Sequence, residues 1–192
     1  LLGWLHPSAL ERNLSAGLGV IGLSVLVGLV VMSLGESLFH RDILHTAPIR
    51  ELNIFHEAHE RHHSLTPVRN YAIESEEQLV AAVFPAYTLV AFWAVFSIVI
   101  VPLQLLAPAI PIYFGGYLAI AIALVGYEIL HMCFHKPYSW WKRYLEHRLW
   151  IVRVIAGYLY RYHLMHHACT GCNEAIAGLC GYDIWGPILG YR

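Results

Sequence analysis

Two long stretches without a charged residue constrain this chain more than any other feature. The first runs from Leu14 to Leu34 and the second covers residues 78–127. A helix of about 20 apolar residues crosses the roughly 30 Å hydrocarbon core of a bilayer. The first stretch is long enough for one such helix, and the second for two helices and a turn. We therefore predict a membrane helix at 14–34 and a membrane hairpin with helices near 78–101 and 112–132.

The composition is that of a membrane protein rather than a soluble one. Hydrophobic residues make up 58% of the chain, charged residues only 13%, and the mean hydropathy is +0.54. Soluble domains usually have about 25% charged residues. The formal net charge of −1 gives no indication of a nucleic-acid partner. We predict an all-α integral membrane protein that forms a single domain over residues 1–192, with about three to four membrane helices.

Prolines and glycines refine this topology. Pro102, Pro108 and Pro111 lie in the middle of the second stretch, where the hairpin must turn. Segment 149–160 is apolar but short and contains Arg153, so we expect a helix that lies at the membrane surface or packs in the core. Small residues in the first membrane helix permit close helix contact, namely Gly17, Gly19, Gly22 and Gly28.

The positions of the basic residues predict the orientation. A hairpin returns the chain to the side it left, so segments 36–77 and 133–192 lie on one side of the membrane. Eleven of the twelve Lys and Arg residues are in these segments, and only Arg12 is outside them. The positive-inside rule then places both segments in the cytosol, at a bacterial inner membrane or the endoplasmic reticulum. Because the cytosol is reducing, we expect free thiols at Cys133, Cys169, Cys172 and Cys180.

Histidines form four closely spaced motifs in the same two segments. Residues three or four apart share a helix face, so each motif directs two or three imidazoles to one point. In the first motif His40 and His45 are five apart, and a helix end or a local distortion is needed to bring them together. The other motifs are His59, His62 and His63, then His131 and His135, then His163, His166 and His167.

These ten histidines predict a dimetal site. Ten imidazoles are too many for one ion, which takes about four to six ligands, and they suit two. A nitrogen shell suits iron, zinc, copper or nickel. Two adjacent ions with open positions can bind dioxygen, whereas a closed structural site cannot. Ligating histidines usually donate their other N–H to a carboxylate or a carbonyl. Glu36, four residues before His40, and Glu128, three before His131, are therefore the predicted acceptors.

Several neighbouring residues are left out of the predicted metal set. His56 precedes His59 by three residues and can be a ligand, an outer partner of the site or polar surface. His147 lies in a charged stretch, where we expect a surface group. Cys169 and Cys172 have CxxC spacing, but the sequence holds no second pair of this kind, so we expect ordinary residues that follow a helix.

In this order, and separated by a membrane hairpin, the motifs HxxxxH, HxxHH, HxxxH and HxxHH resemble those of the fatty acid hydroxylase and sterol desaturase superfamily. The resemblance covers roughly residues 36–190, and the family's metal ligands map onto the ten motif histidines. Asn173 and the stretch Tyr182–Gly186, which includes Asp183, are similar to a segment that follows the last motif in such proteins. The spacing is looser here, so we assign these residues no catalytic role.

The resemblance implies a membrane enzyme with two iron ions, which zinc can replace. The expected reaction is hydroxylation of a C–H bond of a fatty acyl, sterol or related lipid with dioxygen, with desaturation and carotenoid hydroxylation as alternatives. Carotenoid hydroxylases more often have four residues between the histidines of the third motif, whereas three separate His131 and His135. No cytochrome b5 domain is fused to the motifs, so the expected electron donor is a separate protein, of cytochrome b5 or ferredoxin and reductase type.

Two functions of other classes stay open. A metal transporter would place its ligands within the spans, near the bilayer midplane. A hydrolytic or structural zinc membrane protein would need neither iron nor an electron donor. If the lipid substrate enters between the helices of the hairpin, the candidate lining residues are the aromatic side chains Phe92, Trp93, Phe96, Tyr113 and Phe114.

Overall fold

The fold was obtained as a computed structural model, which describes residues 7–46, 49–176, 178 and 181–190. Within these ranges the chain consists of helices and loops, without a β-strand, as predicted. The α-helices are α1 Pro7–Ser15, α2 Leu18–Phe39, α3 Asn53–Leu65, α4 Glu76–Ala82, α5 Thr88–Leu106, α6 Ala119–Phe134, α7 Tyr138–Leu145, α8 Trp150–Ala168 and α9 Trp185–Leu189. Short 3-10 helices cover Arg50–Leu52 and Val68–Asn70, and π-helices cover His40–Leu44 and Phe114–Leu118.

Three helices in the described part of the chain are long and apolar enough to cross a membrane: Leu18–Leu44, Thr88–Leu106 and Phe114–Phe134. The first joins α2 to a π-helical turn, and the third joins a π-helical turn to α6. Large apolar side chains on these helices are exposed, as at Ile98, which is 76% accessible. Such exposure suits contact with lipid. The three candidate spans agree with the lower end of the predicted three to four membrane helices.

The helix predicted near 78–101 is divided into α4 and α5. A capping box starts α4, in which Ser75 Oγ accepts a hydrogen bond from the Gln78 backbone N–H. In return Gln78 Oε1 accepts one from the Ser75 backbone N–H. The chain then leaves the helix at Ala82 and passes Pro85 before α5 starts. Because proline lacks an N–H and disfavours a helical residue before it, this break has a local cause.

The hairpin turn lies later than predicted. Pro102 lies inside α5, which continues to Leu106. A membrane helix tolerates proline where neighbouring groups satisfy the freed backbone carbonyl. The helix predicted over 149–160 is also longer, because α8 runs from Trp150 to Ala168 and includes the last histidine motif.

The chain divides into two compact units. The first contains the described residues up to Met32 together with Pro85–Val125. In it Gln104 Oε1 accepts hydrogen bonds from Asn13 Nδ2 and the Tyr113 backbone N–H. The buried apolar residues around this link are Ala9, Ile100, Tyr113 and Ile120.

One glycine of the first membrane helix makes a close helix contact within this unit. A Cβ atom at Gly28 would overlap the backbone carbonyl oxygen of Gly115 and the side chain of Ala119. At Gly17, Gly19 and Gly22 a Cβ atom would meet nothing within 4 Å. The predicted contact role therefore holds for Gly28 and not for the other three.

The second unit contains Ser33–Phe84 and the described residues from Gly126 onward. Helix α3 packs against the π-helical turn His40–Leu44 and against α4, and α7 packs against α8. Its buried apolar core consists of Phe134, Trp141, Ala156, Tyr162 and Ile176. All ten motif histidines belong to this unit.

Candidate metal centre

The first histidine motif owes its geometry to a π-helical turn. Residues His40–Leu44 adopt the π-helix, and His45 follows directly. A π-helix bonds residue i to residue i+5, so residues five apart come to the same side. The rings of His40 and His45 accordingly stack with their centroids 5.1 Å apart. This is the local distortion that the spacing of the motif predicts.

Four histidines from three segments converge to form the first of two clusters, which we call group A. Their ligand atoms all lie within 4.8 Å of one another. His59 Nε2 lies 3.0 Å from His40 Nε2 and 3.2 Å from His45 Nε2. The fourth member, His166, places its Nε2 atom 3.3 Å from His45 Nε2. Group A thus consists of His40, His45, His59 and His166.

A second cluster, group B, has the same construction and is more deeply buried. His62 Nε2 lies 3.2 Å from the Nε2 atoms of both His131 and His135. His163 Nε2 completes the cluster at 3.1 Å from His135 Nε2. All four side chains are at most 3% accessible. Group B consists of His62, His131, His135 and His163.

The two groups adjoin because two helices contribute to both. Helix α3 gives His59 to group A and His62 to group B, and α8 gives His166 to A and His163 to B. The remaining motif histidines, His63 and His167, stack on each other with centroids 4.2 Å apart.

Each of these stacked rings faces one group. His63 Nε2 lies 3.0 Å from His59 Nε2, and His167 Nε2 lies 3.1 Å from His163 Nε2. The structure therefore brings all ten predicted residues to one place.

Backbone carbonyls orient four of the rings. His40 Nδ1–H donates to the Glu174 carbonyl at 2.7 Å, and His166 Nδ1–H donates to the Cys172 carbonyl at 2.9 Å. In group B, His131 and His135 donate in the same way to the carbonyls of Ala82 and Tyr71, at 3.0 and 2.7 Å. A proton on Nδ1 leaves the lone pair on Nε2, so these bonds set the tautomer that a metal ion needs.

The Nδ1 protons of the nearest histidines, His40 and His131, go to backbone carbonyls rather than to the carboxylates of Glu36 and Glu128. The two carboxylates instead hold the backbone. Glu36 Oε2 accepts from the Gly178 N–H at 3.0 Å, and Glu128 Oε1 accepts from the Phe84 N–H at 2.8 Å. Gly178 and Phe84 lie four and two residues after Glu174 and Ala82, whose carbonyls accept from His40 and His131. Both glutamates therefore support the site through the main chain.

Burial keeps the imidazoles neutral. It lowers the pKa of His45 to about 4 and that of His166 to about 3, with neighbouring histidines adding to the effect. Burial likewise lowers the pKa of His63 to about 3 and that of His135 to about 4. At neutral pH these rings are uncharged, and their nitrogen lone pairs are available to a cation.

The spacing of the nitrogens fits a metal ion at each group. Two nitrogen ligands about 2.1 Å from one ion, at angles between octahedral and tetrahedral, lie about 3.0–3.4 Å apart. Three Nε2 pairs in each group lie 3.0–3.3 Å apart, and all ligand atoms of a group lie within 4.8 Å of one another. His131 and His135 both direct an unprotonated Nε2 at His62, whose single proton cannot satisfy both well. A cation removes this conflict, so each histidine group is a site that could hold a metal ion.

Glu174 is a part of the site that the sequence argument missed. Its side chain is 1% accessible, and Oε2 lies 3.9 Å from His45 Nε2. Burial raises the pKa of this carboxyl to about 8. A second acid, the exposed Glu60, places Oε1 3.8 Å from the other ring nitrogen of His45. Glu60 lies inside the second motif, next to His59, whereas Glu174 follows the last motif by seven residues, so the sequence spacing gives no signal for Glu174.

The histidines left out of the prediction lie outside the two groups. His56 Nδ1–H donates to the Leu44 carbonyl at 2.6 Å, which ties α3 to the π-helical turn. His147 accepts a hydrogen bond from the Leu149 N–H through Nδ1.

Asn173 and Asp183 make structural hydrogen bonds. Asn173 adopts a positive φ of 56° and donates to the Tyr162 carbonyl. Asp183 Oδ1 accepts from the N–H groups of Trp185 and Gly186, at the start of α9. These contacts explain both residues without a catalytic role.

The described cysteines are free thiols, as predicted. They are Cys133, Cys169 and Cys172, whereas Cys180 lies outside the described residues. The sulfur atoms of Cys169 and Cys172 lie 2.9 Å apart, beyond the last turn of α8. The Cys172 contact to the site is through its carbonyl oxygen.

The hairpin aromatics pack in the first unit. Phe92 and Phe96 contact its buried core, of which Tyr113 is a member, and Trp93 Nε1–H donates to the Tyr117 carbonyl. An open groove of about 540 Å³ lies elsewhere, along α8 in the second unit. It is lined by Arg153, Val154, Gly157, Tyr158, Arg161, Tyr162, Met165 and Asn173.

No protein-family model, curated protein or solved structure matches this chain.

Proposed function

We propose that the chain is a membrane-bound non-haem di-iron oxygenase that oxidises a C–H bond of a lipid, with dioxygen and electrons from a separate donor. The observation that carries the proposal is the pair of adjoining imidazole groups, each with four converging ligand nitrogens. When bound there, two iron ions would supply reduction of dioxygen and oxidation of the C–H bond. Hydroxylation is the primary expectation, with desaturation or carotenoid hydroxylation as variants of the same chemistry.

The residues of the chain hold and orient the metal ions and keep water away. Carbonyl acceptors fix the rings of His40 and His166 in group A and those of His131 and His135 in group B. Seven of the eight histidines of the two groups are buried. A site closed to bulk water protects a reactive oxidant from side reactions.

The position of the site supports a lipid substrate. Group A includes His40, where α2 ends, and group B includes His131, near the end of α6. Both helices belong to candidate membrane spans. A substrate dissolved in the bilayer can approach histidines at the ends of such helices without entering water. Sidedness follows the positive-inside prediction, which places the site in the cytosol.

The rival classes fit the geometry less well. Hydrolytic zinc sites have three protein ligands and an open position for water, whereas four imidazoles converge in each group. Transporters place ligands at the middle of the spans, whereas His45, His59 and His163 lie outside every candidate span. Two adjoining all-imidazole groups suit a redox metal pair.

The test begins with metal content. The protein is expressed with excess iron, extracted gently into detergent and analysed by mass spectrometry, with expected binding of about two irons per chain. The iron-loaded protein is then incubated with membrane lipids, a reductant and isotopically labelled dioxygen, and lipid products are screened for label or for a new double bond. Zinc-loaded protein and anaerobic incubation are the controls. Zinc that iron reconstitution cannot replace, or the absence of bound metal, would contradict the proposal.

A further inference from the structure

The Glu174 side chain is a buried carboxylate that lacks a hydrogen-bonding partner for one oxygen. It is 1% accessible, and its Oε2 atom makes no hydrogen bond within the part of the chain that the structure describes. A buried carboxylate without a partner is costly, and proteins usually pair such a group with a cation or place it on a metal ion. The Oε2 atom is therefore available to a cation beside group A.

The Glu174 side chain points toward group A. Oε2 of Glu174 lies 3.9 Å from His45 Nε2, the nitrogen that faces His59 and His166 in group A. Glu60 approaches the opposite nitrogen of the same ring, Nδ1, at 3.8 Å. The two acids thus flank one imidazole, and only Glu174 lies on the side where the ligand atoms converge.

The distance fits a shared ion. Two donors about 2.1 Å from one metal lie about 3.0 Å apart when they are neighbours in the coordination sphere and about 4.2 Å apart when they are opposite. The 3.9 Å between Glu174 Oε2 and His45 Nε2 falls in this range. Glu174 is not among the residues whose ligand atoms all lie within 4.8 Å of one another, so a change of side-chain rotamer would bring Oε2 to the ion of group A.

The backbone holds Glu174 in this position. Its carbonyl accepts the Nδ1 proton of His40 at 2.7 Å, and the next carbonyl, that of Ala175, accepts from the Tyr162 hydroxyl at 2.5 Å. The preceding residue, Asn173, donates to the Tyr162 carbonyl. Glu174 therefore contacts group A twice: its carbonyl accepts the Nδ1 proton of His40, and its side chain approaches Nε2 of His45.

We propose that Glu174 is an eleventh ligand, a carboxylate donor to the metal ion of group A. The inference rests on the proposed metal centre and makes its two ions inequivalent. Group A then combines imidazoles with one anionic oxygen, whereas group B offers imidazoles alone. Because an anionic hard ligand favours the more highly charged ion, group A holds the more easily oxidised metal.

Cobalt(II) binding to the metal-free full chain in detergent tests this ligand without depending on activity. Cobalt(II) is titrated against a competing chelator, and its visible ligand-field bands are recorded, for wild type, Glu174→Gln and Glu60→Gln. Glu174→Gln preserves the size of the side chain and removes the charge. Glu60→Gln is the matched control, because it removes the acid on the other side of His45.

The expected result is two cobalt equivalents in wild type and in Glu60→Gln. Partners outside the ligand set also change affinity by about 10- to 100-fold, so the changed ligand-field band, which Glu60→Gln should not show, identifies a direct ligand. Glu174→Gln should therefore lose that factor or more for one equivalent, with a changed band, while the second equivalent stays unchanged. If Glu174→Gln does not fold by gel filtration and circular dichroism, Glu174→Asp replaces it, and a shifted band at full occupancy is expected.

Two failures are distinguishable. If wild type holds two equivalents and Glu174→Gln holds both with wild-type affinity and spectrum, the ligand assignment is overturned and the metal centre stands. The same conclusion follows from a wild-type spectrum in Glu174→Asp. If wild type holds no cobalt, the proposed metal centre itself is overturned, and the inference falls with it.

Discussion

His163 and His166 offer a matched pair of substitutions, because they lie one turn apart on the same helix and belong to different groups. Both side chains are fully buried, with His163 in group B and His166 in group A. Replacing one with alanine should remove one metal ion and leave the other. His163→Ala should empty group B, and His166→Ala should empty group A. The double variant should bind neither ion.

The size of the effect follows from the number of ligands. Structural zinc sites with four ligands bind with about 10–16 kcal/mol, so one ligand is worth about 2.5–4 kcal/mol. Because each 1.4 kcal/mol is tenfold, loss of one imidazole weakens binding at its own group by about 10²- to 10³-fold. His166→Ala also removes the hydrogen bond from His166 Nδ1–H to the Cys172 carbonyl, and a hydrogen bond contributes about 0.5–1.5 kcal/mol to stability.

The assay is metal content per chain after dialysis against a graded series of chelator concentrations. Wild type should retain two ions at a concentration that removes one ion from each single variant. His147→Ala is the control, because this histidine lies outside both groups, and it should retain both ions. Two ions in His166→Ala, released at the wild-type chelator concentration, would refute the assignment of this residue. Complete loss of both ions in each single variant would refute two separate groups.

Three further tests concern helix packing, helix capping and the cysteines near the site. Gly28→Ala should lower the stability of the detergent-solubilised protein by about 1–3 kcal/mol, because the new Cβ atom would overlap backbone atoms. Gly22→Ala places its Cβ atom in open space and should leave the stability unchanged. Thermal unfolding followed by tryptophan fluorescence measures both. Ser75→Ala removes the cap of α4 and should cost about 1 kcal/mol in the same measurement, with an unchanged value counting against the capping box. The double variant Cys169→Ser, Cys172→Ser should keep both metal ions in the chelator assay, because the contact to His166 is made by the backbone carbonyl of Cys172. Loss of an ion would indicate that a sulfur atom is a metal ligand.

The convergence of the motif histidines could be predicted because their spacing is a local property. Residues three or four apart on a helix share a face whatever the tertiary structure is. The spacing of five between His40 and His45 required a distortion, and the π-helical turn supplies it. Apolar length predicted the three candidate spans for the same reason, since it depends on composition over about 20 residues.

Helix ends were less predictable, because competing local signals meet there. Pro85 interrupts an apolar run that continues on both sides, whereas Pro102 lies within a helix. The two prolines look alike in sequence. The capping box at Ser75 determines where α4 starts but not where it ends.

The partners of the ligands could not be predicted at all, and this has a consequence for mutagenesis. Four rings donate to backbone carbonyls, whose positions depend on how distant segments pack. A carbonyl is present at every residue, so no side-chain pattern marks the ones that accept. Substitution at Cys172 or Ala82 therefore leaves the acceptor in place, whereas a change of backbone path displaces it. Glu36 and Glu128 accept hydrogen bonds from the backbone N–H groups of Gly178 and Phe84 and so hold this backbone path. Substitution of either glutamate can therefore alter the orientation of the rings without changing a motif histidine.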